Sequence, residues 1–205
     1  MEYWYLWLIL AVLIVAFIFG SFKASESSKK RRAQMKKQME YFDHLKMLKK
    51  DYKDFDCEKI EQYDNQTLLE GVAFYVQSFL ETFDDIQMKK EFEKLNTPLK
   101  YIYTVNYLFE DSAEGGLRQF FQLNGNQLCS LVCPAVDEIF ENEELSAVVK
   151  KEWEMFDEDS DVSIDYEKID SLDEEFKNIT EKLDFKKIGA DYAIKSKNFL
   201  KIISE

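Results

Sequence analysis

The chain has 205 residues with 40 Asp or Glu against 27 Lys or Arg, a formal net charge of -13. That balance argues against direct binding of nucleic acid through its phosphates, which requires Lys and Arg. Three cysteines, Cys57, Cys129 and Cys133, with no CxxC pair argue against a disulfide framework and suit buried thiols.

Near the N-terminus, Tyr3 to Phe22 contains no charged residue. At about 1.5 Å of rise per residue, a helix of that length matches the hydrocarbon layer of a bilayer. Tyr3, Trp4, Tyr5 and Trp7 gather at one end, as rings do at headgroups, and Lys23, Lys29, Lys30, Arg31, Arg32, Lys36 and Lys37 follow the run. The positive-inside bias then predicts a single-pass protein of the cell membrane, with the lipid bilayer as a partner and the C-terminal domain in the cytoplasm. A cleaved secretory signal is the rival, but it needs positive charge before the apolar run, where only Met1 and Glu2 stand, and a small-residue cleavage site.

The charge is unevenly distributed. Residues 23–53 carry 11 Lys or Arg against 4 acids, net +7, and residues 54–205 carry 16 against 35, net -19. The expected organisation is a transmembrane helix over 1–22, a basic amphipathic stalk over 23–55 and an acidic all-helical domain over 56–205. In the stalk, Met35, Met39, Phe42, Leu45, Leu48, Tyr52 and Phe55 recur at helical spacing between lysines. This reads as a helical spacer docked on the domain, with a basic face suited to anionic lipid.

Beyond the stalk, Thr67-Leu68-Leu69-Glu70 has the form of a capping box and predicts a core helix using Leu68, Leu69, Val72, Val76, Phe79, Leu80 and Phe83. Thr97-Pro98 begins another, because proline at the first helical position gives up an amide that has no partner there. Its interior, Tyr101 to Val105, also fits a strand. Asn124-Gly125-Asn126 predicts a turn, and the apolar face from Leu128 to Phe140 is interrupted at Pro134, where a break or kink is expected. Leu145, Val149, Trp153 and Phe156 mark a further helix, and the acidic run from Asp157 to Asp170 reads as a loop. Ser171-Leu172-Asp173-Glu174 predicts the cap of the next helix, and Ile188, Tyr192, Phe199 and Ile202 suit a closing one. The fold class is mainly α: a compact multi-helix domain.

Catalytic signatures are scarce. The only histidine, His44, lies in the stalk, so no nucleophile and base pair can be built on it. No phosphate-cradling glycine loop or zinc signature is present, and no cofactor or metal is expected. Cys129 and Cys133, four apart, are poor metal ligands without others. An enzyme working through carboxylates alone, such as Glu110 and Glu114, stays open. Asp157, Asp159, Asp161 and Asp165 resemble the start of a calcium loop, but Val162 replaces the required glycine and Lys168 the bidentate glutamate. A solvated acidic loop is the simpler reading.

The segment Glu110-Asp111-Ser112-Ala113-Glu114-Gly115-Gly116-Leu117-Arg118-Gln119-Phe120-Phe121, followed by Asn124-Gly125, resembles the bacterial DNA-mimic-protein family, a helical domain otherwise of unknown function. Gly115-Gly116-Leu117 and Gln119-Phe120-Phe121 match its pattern, and Ala113-Glu114 replaces the usual Asn pair. Leu172-Asp173-Glu174-Glu175-Phe176 is similar to the family's acidic helix start, and Tyr192 to Phe199 to its final helix, so the likeness spans roughly Tyr63 to Ile203. The motif residues Glu110, Asp111, Glu114, Gly115, Gly116, Gln119, Phe120 and Phe121 have a structural reading: two glycines permit a sharp turn or close approach, and two phenylalanines enter the core. The resemblance implies an all-helical fold and, from one member, an acidic decoy that occupies the DNA-binding face of a transcription regulator.

The expected function is that of a non-enzymatic, membrane-anchored acidic protein engaging a basic protein partner, as an immunity protein against a toxin or as a DNA-mimic-like regulator. A membrane-tethered enzyme or a structural and assembly protein are the alternatives. Oligomeric state is not legible from the sequence.

Overall fold

In a computed structural model, the described residues are 31, 32, 35–157 and 160–202, with the side chain of Glu114 excluded. Tyr3 to Phe22 lies outside them. Among the described residues no helix is long and apolar enough to cross a membrane, and the assignment to a cell membrane as a single-pass protein with a cytoplasmic C-terminal domain is withdrawn. An uncharged run meets the length condition for a crossing. From Leu68 to Lys195 the helices instead bury one face in the protein and leave the other to water.

Two units meet between Met47 and Leu48. In the first, residues 35–47 are helical, with Lys36 paired to Glu40 (3.5 Å) and Lys46 to Asp43 (3.3 Å). The apolar stripe anticipated there is exposed at Met35, Met39 and Phe42.

The second unit opens on helical residues 48–52, here α1, followed by a 3-10 turn at Cys57–Gln62. Eight helices follow: α2 Leu68–Leu80, α3 Asp85–Lys94, α4 Thr97–Gly115, α5 Leu117–Leu123, α6 Asn126–Phe140, α7 Glu143–Phe156, α8 Tyr166–Thr180 and α9 Phe185–Lys195. Every regular element among the described residues is helical, as expected, and a 3-10 turn at Lys197–Phe199 closes the fold. The stretch Tyr101 to Val105, equally readable as strand, is helix, because Leu99, Ile102, Val105 and Leu108 at helical spacing are all fully buried.

α4 is the spine. It packs on α2 and α6, turns directly into α5, and is touched by α9. Phe109 on α4 gathers Phe140 of α6 (5.5 Å), Phe176 of α8 (6.1 Å) and Phe185 of α9 (4.6 Å between centroids). α7 lies against α8, α6 and α5, where Phe121 stacks on Trp153 (5.6 Å) and Phe156 (5.5 Å). Side chains of this size stabilise by about 1.5 to 3 kcal/mol each when fully buried.

Several helix boundaries differ from expectation for identifiable reasons. α2 begins at Leu68, but the Thr67 side chain caps nothing: its hydroxyl bonds to Tyr52 Oη (3.0 Å) and donates to the Asp64 carbonyl (3.2 Å). α6 runs unbroken through Pro134. The carbonyl that loses its amide belongs to Ser130, an exposed residue that water can reach. α8 begins at Tyr166 rather than Ser171, because Asp165 accepts from the amides of Glu167 (3.1 Å) and Lys168 (3.2 Å) and caps it earlier. α3 has no counterpart in the sequence reading; Asp84 caps it through the amides of Ile86 (3.1 Å) and Gln87 (2.9 Å).

Residues 48–63 are held on α2 by aromatic packing. Tyr52, Phe55, Tyr63 and Tyr75 form one cluster, with Tyr52 and Tyr63 4.9 Å apart and Phe55 and Tyr75 5.5 Å apart. The Tyr52 ring lies directly over Gly71 of α2, where a β-carbon would overlap it. Gly71→Ala is therefore expected to lower stability by about 1 to 3 kcal/mol, the usual cost of overpacking, despite alanine's better helix propensity. Urea denaturation checks this, and an unchanged or raised midpoint would show that Tyr52 does not pack there.

Candidate functional site

The family-motif residues do a structural job at the α4–α5 junction. α4 ends at Gly115 and α5 starts at Leu117, so Gly116 alone makes the corner, at φ 77°. That is a left-handed value at which a side chain is strained. The short helix α5 has no cap from its own chain end. Asp173 of α8 supplies one: its Oδ1 accepts from the Arg118 amide (3.1 Å), and the Leu117 amide also bonds to that carboxylate. The carboxylate sits where a β-carbon on Gly116 would be, so glycine is required there twice, for the turn and for the approach.

The Arg118 side chain completes the joint. Its guanidinium reaches Asp173 Oδ2 (3.3 Å, from Nε) and Asp170 Oδ1 (2.9 Å). Burial raises the Asp173 carboxyl above the usual range although Arg118 and the α5 amides pull the other way. Behind this joint stands Glu152 of α7, fully buried. Burial first, and then the Asp173 charge, push its carboxyl up to about 8.

The remaining motif residues fall into place around the junction. Asp111 of α4 accepts from Asn124 Nδ2 (2.6 Å), and Asn124 also donates to the Phe120 carbonyl (2.9 Å), so the acidic residue and the Asn-Gly turn close α5 back onto α4. Gln119 lies over Gly115. Phe120 is fully buried and Phe121 nearly so. Glu110 is exposed on α4. The acidic-loop residues do not gather: Asp157 ends α7, Asp161 is exposed, Asp165 caps α8, and Asp159 is outside the described residues. Among the described residues no group of His, Cys, Asp or Glu is placed to hold a metal ion. Burial pushes the Cys129 and Cys133 thiols up to about 11, so neither is a reactive thiolate near neutral pH.

Two concavities flank α8. One, of about 760 Å³, lies over the junction, with Phe109, Phe176 and Phe185 in its lining and Asp170, Glu174 and Glu181 beside them. The other, of about 730 Å³, is a groove between α7 and α8. Glu143 and Glu144 on one wall face Glu174 and Glu175 on the other, all four exposed, with Lys182 as the sole basic lining residue. None of the four forms an ion pair among the described residues. Sequence reasoning did not single them out, although Glu174 and Glu175 belong to the acidic helix start of the family pattern. A first turn carrying Glu143 and Glu144 signals only a favourable helix dipole. Glu152 carries no local signal at all.

Gly116→Ala is expected to lower stability by about 2 to 4 kcal/mol, combining left-handed strain with loss of the Asp173 cap. Gly125→Ala, at a position with open space around it, serves as the comparison. Equal urea midpoints for the two variants would refute the role given to Gly116.

No curated protein and no solved structure matches the chain. A family model described as DMP19-like protein matches residues 93–196, just over half of the chain. The match is shorter than the likeness read from the motifs, but it takes in α4 to α9 and with them the junction, the buried Glu152 and the α7–α8 groove. The chain belongs to the DMP19-like protein family.

Proposed function

We propose that this protein is a non-enzymatic binding protein whose acidic α7–α8 groove engages a basic protein partner. The observation that carries this reading is the placement of Glu143, Glu144, Glu174 and Glu175 on facing walls of one groove with a single lysine among them. The net charge of -19 over residues 54–205 extends the same sign beyond the groove, and a field of one sign steers a partner rich in Lys and Arg. The resemblance to DNA-mimic proteins adds that such a partner is one that otherwise holds nucleic acid, since carboxylates on a groove edge can stand in for phosphates. The acids committed to internal bonds, Asp111, Asp165 and Asp173 among them, are not part of this surface.

The test uses the full-length chain against a panel of basic DNA-binding proteins, by calorimetry at low and raised salt. Binding is expected to weaken steeply with salt, because exposed charges are screened beyond roughly 10 Å at 0.1 M ionic strength. Duplex DNA is expected to compete for the partner. Replacing Glu143, Glu144, Glu174 and Glu175 together by Gln is expected to raise Kd by about fourfold to several hundredfold, taking roughly 0.2 to 1 kcal/mol for each exposed pair lost. Salt-insensitive binding, or a variant that binds as the parent does, would count against the groove.

A further inference from the structure

Among the described residues Glu152 is the one fully buried acid, and neither of its carboxyl oxygens has a hydrogen bond. The charges that reach it come from two neighbouring helices: Arg118 of α5 and Asp173 of α8. Arg118 is already engaged by Asp173 and by Asp170, so one guanidinium stands among three carboxyl groups. α6 also packs on α7, but its Asp137 acts on Cys133 and its Glu138 accepts from Tyr192 Oη (2.6 Å), and neither bears on Glu152. An ionised carboxylate left in this interior without hydrogen bonds costs far more than one at the surface. Either it holds a proton or the packing around it gives way.

We propose that Glu152 is a proton-dependent latch on α5: in its protonated form it leaves Arg118 with Asp170 and Asp173 and keeps α5 docked, and loss of the proton favours opening of α5 from α7 and α8. The geometry sets which element responds. α5 is seven residues long, and the polar part of its N-terminal attachment, beside the buried Leu117, is the Asp173 carboxylate and the Arg118 ion pairs. An ionised Glu152 competes for that same guanidinium. α7 and α8 are twice as long and carry their own caps, Asn142 and Asp165.

The sign of the pH dependence follows from linkage. The docked state holds the Glu152 carboxyl at about 8, whereas an opened, hydrated carboxyl returns to the ordinary range. Between those two values the docked state binds a proton that the open state lacks, so docking weakens as pH rises through the window and levels off above its upper edge. The raised Asp173 carboxyl acts in the same direction.

Two measurements on the full-length chain test this. Carbon-detected NMR follows the Glu152 carboxyl, assigned by its absence in Glu152→Gln, and hydrogen exchange follows the amides of residues 117–123, corrected for the intrinsic pH dependence of exchange. The expected result is a carboxyl midpoint near 8, with α5 protection falling about tenfold per pH unit below that midpoint and flat above it. In Glu152→Gln the break at that midpoint should disappear, leaving only the smaller fall that Asp173 contributes. A midpoint in the ordinary carboxylate range overturns the proposal, as does α5 protection that is constant across the titration or that falls equally in the variant. Should Glu152→Gln fail to fold, the parent chain still decides: protection that levels at the carboxyl midpoint supports the latch, and a break elsewhere overturns it.

Discussion

The contact on which the family-matched part of the body depends is the one between the Asp173 carboxylate and the start of α5. A seven-residue helix is too short to be stable alone, since nucleating a helix fixes several residues for its first hydrogen bond. Its leading amides would otherwise be left without partners inside the protein. By reaching across from α8, Asp173 satisfies those amides and draws the Arg118 guanidinium to the same place. Gly116 is what lets it come so close. Once α5 is fixed, Phe120 and Phe121 are aimed into the interior, and Phe121 becomes the surface on which Trp153 and Phe156 of α7 stack. Corner, cap and aromatic packing are thus one interaction seen at three scales.

That arrangement places unlike demands on the carboxyl groups around it. Asp173 serves as an acceptor and Asp170 as a second hold on Arg118, so each has a donor facing its carboxylate, although burial works against the Asp173 charge. Glu152, deeper, has no donor. A protein could remove the conflict by replacing the buried acid with a residue of the same size and no charge, often neutral or stabilising where a buried ionic group is concerned. Keeping an acid there couples the docking of α5 to proton activity, and the coupling has a direction because the counter-charge it would seek already holds α5 in place.

Much of the fold is legible in the sequence wherever one face of a helix is both long and apolar. Leu68 to Leu80, the start at Thr97-Pro98, the Asn124-Gly125 turn and the helix from Leu145 to Phe156 follow from spacing and from local turn chemistry alone. α3 escapes because only Met88 and Phe92 mark its inner face among charged neighbours, and its one clear signal, the Asp84 cap, is common in loops as well. The Ser171-Leu172-Asp173-Glu174 pattern misleads for a physical reason. It has the form of a cap, but Asp165 caps the helix earlier, and the Asp173 side chain is turned to another helix's amides. The two partners are separated by 55 residues in the chain, and no local pattern encodes which distant amides a carboxylate will meet. The glycine pair and the two phenylalanines could be read as turn and core, whereas the residue that makes the turn necessary could not.

The same distinction bears on how an acidic surface should be read. Acid count alone overstates what is available to a partner, because many of the aspartates are spent within the fold: Asp56, Asp84, Asp165 and Asp184 as caps of their own helices, Asp111 on Asn124 and Asp173 on α5. Aspartate suits this work, since its short side chain reaches the amides two and three residues ahead. The groove acids are glutamates, whose extra methylene carries the carboxylate away from the backbone into solvent. Glu143, Glu144, Glu174 and Glu175 lie on helix faces that no internal bond requires, and their positions are set by helices locked from beneath by Leu145, Val148, Leu172 and Phe176. A rigid pair of walls costs a partner less ordering on binding than a flexible acidic tail would. The groove is therefore a more specific candidate for recognition than the charge total.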